Sequence, residues 1–226
     1  MPDLSHYDFA GFATYTDWGD PPLFVKLVID KLPMQKGKPA FLFNTCAALS
    51  GKTLKTLKTW VNQKGFKVVS AFTLKAPESY PPLVIKGLTG KNNPSERDMI
   101  RLINFINELS SFFSSSGHRG LGDLKDTNVK IGIINTLSPR YSRNKSKLQM
   151  GNKYVDQGLC TQCGVCFRGC PNEAISINSG VNFDEDKCYG CWSCFNHCPQ
   201  KAIYTEKIKG IGQYSILENY SQKLMS

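Results

Sequence analysis

"CTQCGVCFRGCP", Cys160 to Pro171, returns as "CYGCWSCFNHCP", Cys188 to Pro199. Both copies read C-x2-C-x2-C-x3-C-P, which sets Cys160, Cys163, Cys166 and Cys170 in register with Cys188, Cys191, Cys194 and Cys198. A short loop with thiolates three residues apart can wrap three corners of an iron–sulfide cube. The fourth cysteine, just before a proline that redirects the chain, reaches the other cube. One ligand set is then Cys160, Cys163, Cys166 and Cys198; the other is Cys188, Cys191, Cys194 and Cys170. The likeness continues through "CPNEAI" and "CPQKAI", as a duplicated, pseudo-twofold unit requires. Structural zinc favours paired CxxC knuckles with a longer spacer, and this triple spacing fits it badly. The repeat therefore predicts two 4Fe–4S clusters.

The rest of the chain sets bounds on that reading. At 226 residues it has room for one full core or two small domains. Eight of its nine cysteines lie in the repeat, a pattern that in a reducing compartment points to metal rather than disulfides. The start, "MPDLSHYDFAG", has no charged and apolar leader, and the longest apolar runs, "FAGFA" and "IGII", fall far short of the ~20 residues that span a bilayer. The expectation is a cytoplasmic protein without membrane segments, suited to an anaerobic setting. The formal charge is +10, yet Asp156 to Lys207 is slightly acidic, so the excess lies upstream. Two oxidised clusters at about −2 each would bring the working excess nearer +6.

On these residues the segment from about 154 to 206 resembles the bacterial-type two-cluster ferredoxin. That resemblance implies a low-potential carrier whose crossed ligation holds the clusters within electron-transfer reach of each other.

Upstream, three apolar runs read as strands covered on both faces: Tyr7–Tyr15, Lys38–Thr45 and Gly65–Phe72. Between them "PPLFVKLVIDKL" and "GKTLKTLKTWVNQKG" have helical periods, the second with Leu54, Leu57 and Val61 on one face and a stop at Gly65. A later helix is expected to start with Asn93 as N-cap and Pro94 at its first position. Its apolar stripe is Met99, Leu102, Ile103, Ile106, Leu109 and Phe113. Alternating strands and helices give a parallel α/β sheet, whose ligands sit beyond the carboxyl ends of the strands. There, hydroxyl and amide groups of Thr14, Thr16, Asn44, Thr45 and Ser50 lie beside Tyr15 or Trp18, a mixture suited to a flat ring with polar edges. "YDFAGFATYTDWGDPP" and "KPAFLFNTCAALSG" resemble the third and fourth strands of a flavodoxin with their flavin loops. The resemblance implies an FMN contact set of Thr14, Tyr15, Thr16, Asp17, Trp18 and Gly19 in one loop and Asn44, Thr45, Cys46 and Ala47 in the other. By itself Cys46 reads as a small, partly buried thiol.

The chain departs from that family in having no strand and Gly/Ser/Thr-rich phosphate loop ahead of Tyr7. "SSSGHRGLG" (Ser114–Gly122) follows no clear strand. The first two strands are expected to be missing, leaving Tyr7–Tyr15 as an open edge that pairs with another chain, unless the start is clipped or the half-sheet has become a docking element. The whole resembles fused flavodoxin–ferredoxin proteins. The expected class is α/β, a partial flavodoxin-like parallel sheet (1–113), a basic linker (114–153) and an α+β two-cluster ferredoxin domain with a tail (154–226).

The linker's basic run of Arg140, Arg143, Lys145, Lys147 and Lys153, with a stripe of Lys52, Lys55 and Lys58, reads as a docking face for an acidic redox partner or as a solvated surface. No nucleic-acid motif accompanies it. His197, next to Cys198, reads as a modulator of that cluster or, more often for such a side chain, as merely exposed; His6 and His118 have no convergent partners, and no nucleophile–base pair, P-loop or nicotinamide fingerprint occurs. The sequence thus points to an electron-transfer protein or reductase subunit, with a flavin-dependent oxidoreductase fed by the clusters as the rival.

Overall fold

The computed structural model describes residues 3–88, 90, 92–116, 126–129 and 143–213. In chain order the first elements are β1 (Ala10–Tyr15), α1 (Leu23–Asp30), β2 (Pro39–Cys46), α2 (Thr53–Gln63), β3 (Lys67–Lys75), α3 (Pro81–Ile85) and α4 (Glu96–Ser116). The remainder are α5 (Arg143–Met150), β4 (Lys153–Val155), α6 (Val165–Arg168), β5 (Ile175–Ile177), β6 (Val181–Phe183), α7 (Ser193–His197) and β7 (Ile203–Thr205). Two compact units result, residues 1–77 with 90–140, and residues 78–89 with 141–226.

The first unit is a parallel sheet in the order β1-β2-β3. On one face, Ala40 and Leu42 of β2 and Val68 of β3 meet Ile29 from α1 and Leu57 and Val61 from α2. Leu57 and Val61 are fully buried, each contributing about 1.5–3 kcal/mol through the area removed from water. On the other face Phe105 of α4 stacks on Phe72 at 5.0 Å and meets Phe41 edge-on at 6.2 Å. Both faces are covered, as the continuous apolar runs required. Among the described residues β1 is an edge strand, while the outer side of β3 is met by residues 126 and 127: Thr127 N–H donates to Val68 O, and Val68 N–H donates to Asp126. Most of "VKIGIINTL" lies outside the described residues.

Two helix expectations need correction. The N-cap of α4 is Ser95, not Asn93. Its Oγ accepts from Asp98 N–H at 3.2 Å while the Asp98 carboxylate accepts from Ser95 N–H and Oγ–H, a reciprocal box. The buried side of α4 centres on Phe105, because that ring fits between Phe41 and Phe72; Met99, Ile103 and Ile106 of the expected stripe are exposed.

The second unit overturns the expected linker. Residues 143–150 form α5, which buries Ser146 and Met150, and Lys153 already belongs to β4. Residues 78–89, expected in the first domain, also pack here. Tyr80 lies 6.5 Å from Trp192 between ring centres, and the Asn196 side-chain amide donates to Ser79 O at 2.9 Å. β4 pairs antiparallel with β7 and β5 with β6, around a core of Met150, Trp192, Phe195, Ile203 and Ile208. Arg140, His118, Ser114–Gly122 beyond Ser116 and the tail after 213 lie outside the described residues.

Candidate metal centre

Each cysteine loop is built the same way. Asp156 precedes the first and Asp184 the second, and their carbonyls accept from Cys160 N–H and Cys188 N–H, both at 3.0 Å. Hydrogen bonds hold both carboxyls below their ordinary 3.8, chiefly from the Lys209 side chain at Asp156 and the Lys187 backbone N–H at Asp184. The chain then takes positive φ at Gln162, Gly164 and Glu173 in the first copy and at Gly190, Trp192 and Lys201 in the second, each pair being 28 residues apart. Left-handed residues turn the backbone tightly enough for the thiols to point inward. After each Cys-Pro the loop is tied back: Ala174 N–H donates to Cys170 Sγ and Ala202 N–H to Cys198 Sγ, both at 3.3 Å.

Two cavities result. Cys160, Cys163, Cys166 and Cys198 line the first; Cys170, Cys188, Cys191 and Cys194 line the second. The fourth cysteine of each repeat lines the other repeat's cavity. The cavities are similar in size, about 370 and 330 Å³ with their mouths included, as two equal occupants need. Among the described residues no three Cys, His, Asp or Glu side chains converge on a point as ligands of a single ion do. Four thiols spread around a wall suit the corners of a cube rather than one tetrahedral zinc.

The residues therefore fit 4Fe–4S clusters, and their chemistry agrees. Burial pushes the Cys194 thiol up to about 12 and also raises Cys166 and Cys191. Thiols so protected stay protonated until a metal displaces the proton. Burial works against the Lys153 ammonium, yet the facing Cys188 thiolate and its hydrogen bond leave it above its ordinary 10.5. Lys153 Nζ donates to Cys188 Sγ at 3.1 Å. Nothing in the sequence marked Lys153 as part of the site; it was read only as one of a basic run.

Three members of that run, Arg143, Lys147 and Lys153, are engaged within the second unit. Arg143 donates to Gly190 O at 2.9 Å and lies 4.9 Å from the Tyr189 ring centre. Lys147 donates to Glu185 O and pairs with its carboxylate at 3.4 Å. Both side chains brace the second cysteine loop. Lys58, from the other basic stripe, pairs with Asp126 at 2.5 Å. His197 is exposed, with Nδ1 2.9 Å from Ser193 O in its own helix.

The residues proposed to meet a flavin make a different arrangement. Asn44 is fully buried and donates to Thr16 Oγ1 at 3.0 Å, and Thr53 Oγ1 donates to the same oxygen at 3.0 Å. Thr14 Oγ1 donates to Tyr15 O. Asp17 and Asp20 exchange backbone hydrogen bonds around a tight turn with Trp18 and Gly19 at positive φ. The two loops abut: Lys52 N–H donates to Gly19 O at 2.6 Å, and a Cβ on Gly51 would lie 2.3 Å from Gly19 Cα. Cys46 is buried at the end of β2. Thr45 O accepts from Thr16 N–H, and Ala47 adds no polar side chain. The polar groups nearest the strand ends are engaged with one another, so the set fits FMN poorly.

Residues 159–202 match a family model described as a 4Fe–4S dicluster domain. An uncharacterized protein of Methanocaldococcus jannaschii is similar to this chain, 27% identical over 111 residues that make up 48% of this chain and 73% of that protein. The C-terminal part is thus a ferredoxin-type domain with an iron–sulfur electron-transfer role.

Proposed function

We propose that this chain relays single electrons between a reduced carrier and a partner redox enzyme, through two 4Fe–4S clusters held by Cys160, Cys163, Cys166 and Cys198 and by Cys170, Cys188, Cys191 and Cys194. The observation that carries the reading is the lining of each cavity by four thiols drawn from both repeats. When bound, the clusters supply reversible one-electron chemistry. The chain supplies the ligands, matched amide donors at Cys170 and Cys198, and apolar walls around the sulfurs. The first unit serves the partner: β1 has no hydrogen-bonded strand on its outer side among the described residues, which favours pairing with another chain there. The flavin-fed oxidoreductase is the weaker alternative, because Thr16 and Asn44 bind each other.

Anaerobically purified protein tests this. It should contain about eight irons and eight labile sulfides per chain, show a broad visible absorbance that dithionite bleaches, and pass electrons to an added acceptor protein. Zinc in place of iron, or clusters that cannot be reduced and reoxidised, would refute the proposal; released flavin would restore the alternative. No helix among the described residues is long and apolar enough to cross a membrane.

A further inference from the structure

The offset that relates the cysteine loops, Cys160 to Cys188, also relates the cavity walls. Val155 beside the first cavity corresponds to Phe183 beside the second, and Ala202 and Ile203 correspond to Ala174 and Ile175. At one strand position the match breaks in kind. Val181 lines the first cavity, whereas its counterpart, Lys153, lines the second. Among the described residues that line either cavity, Lys153 alone has a cationic side chain. It is 5% exposed, donates to Cys188 Sγ at 3.1 Å and lies 4.9 Å from the Trp192 ring centre.

We propose that Lys153 makes the two clusters unequal, drawing the first electron to the cluster held by Cys170, Cys188, Cys191 and Cys194. The inference rests on the two-cluster reading above. Reduction adds one negative charge to an already anionic group, so a fixed cation at hydrogen-bond distance stabilises the reduced state more than the oxidised one. The amides that donate to Cys170 and Cys198, both at 3.3 Å, do not create the difference.

Other charges near the loops have smaller or reinforcing effects. Glu185 accepts from Lys153 N–H at 3.0 Å, but its other oxygen pairs with Lys147 at 3.4 Å, so its charge is offset. Arg143 adds a further cation at Gly190 O. Near the first cavity, Arg168 donates to Cys163 O at 3.1 Å, and both residues are exposed, so water screens that charge. Water at Cys163 pulls the other way by solvating the reduced state. It acts on one rim ligand, however, while the ammonium acts from a dry wall directly on a sulfur. Lys153 is thus a positioning residue for the electron.

The test uses the full chain, reconstituted anaerobically. Iron and labile sulfide are counted first; a shortfall from about eight each refutes the two-cluster reading itself. With both clusters present, potentiometric titration followed by EPR is run on wild type, Lys153→Met, Lys153→Arg and Val181→Lys. Wild type should favour one cluster by at least about tenfold, or about 59 mV for a one-electron couple. Lys153→Met should lose that preference, Lys153→Arg should keep it, and Val181→Lys should narrow it by lifting the other midpoint. Midpoints unchanged in Lys153→Met, or shifted equally, overturn the proposal. Should Lys153→Met not assemble, wild type decides: contact-shifted cysteine β-protons in one-electron-reduced protein must place the electron mainly at Cys170, Cys188, Cys191 and Cys194. An even or reversed distribution overturns it.

Discussion

Crossed ligation makes a sharp quantitative prediction about paired cysteine losses. Each thiol lines one cavity, so removing any one costs one of four ligands at that cavity and none at the other. Cys198 is the informative residue. It follows Cys194 in the chain by only four positions, yet it lines the cavity of Cys160, Cys163 and Cys166. Cys160→Ala with Cys198→Ala therefore removes two ligands from the same cavity, and iron should fall from about eight to about four per chain. Cys188→Ala with Cys198→Ala strikes both cavities, leaving three thiols at each, and iron should fall far below four, with the visible absorbance largely lost. Sequential ligation reverses the outcomes. Iron and labile sulfide assays on anaerobically purified variants, with circular dichroism to confirm folding, separate the two arrangements. Four irons retained by Cys188→Ala/Cys198→Ala and few by Cys160→Ala/Cys198→Ala would refute the crossed assignment.

Other consequences follow from the same coordinates. Leu57→Ala opens a cavity in the first unit's core and should cost about 2–5 kcal/mol in denaturant unfolding. A cost under about 1 kcal/mol would mean that α2 is not seated as described. Ser95→Ala removes the cap of α4 and should cost about 1 kcal/mol, whereas Ser95→Asn should be nearly neutral. Asp156 and Asp184 have carboxyls held below their ordinary 3.8 in the folded chain, by hydrogen bonds led by the Lys209 side chain and the Lys187 backbone N–H. Their contribution is complete above that value and lost as pH falls through the lower folded one. Hydrogen exchange should therefore show the Gly158, Asp186 and Lys187 amides, which donate to these carboxylates, losing protection below about pH 3.8, not between pH 7 and 5.

The dicluster repeat was legible in the sequence because iron–sulfur ligation acts over short, fixed spacings. Three thiols at three-residue intervals must share one loop, and the proline after the fourth turns that cysteine away. The parallel sheet was legible too, since β1, β2 and β3 carry apolar residues on both faces. The flavin loops misled because hydroxyls and an amide at strand ends look alike whether they face a ligand or each other; only the packing of α2 brings Thr53 onto Thr16 and closes that group. The stripe on α4 misled because several apolar residues flank Phe105, and a single ring slot between Phe41 and Phe72 fixed the helix's rotation.

What the amino-acid order determined by itself was local: which thiols share a loop, which prolines turn the chain, and where the duplication begins and repeats. What tertiary structure decided was the company those loops keep. Residues read as a basic linker, from Arg143 to Lys153, fold back and set Arg143, Lys147 and Lys153 against the second loop, and a lysine stands where the duplicate has Val181. Distant charge is invisible to motif spacing, because Coulomb interaction depends on separation in space and on exclusion of water, and both are set only when the strands pair.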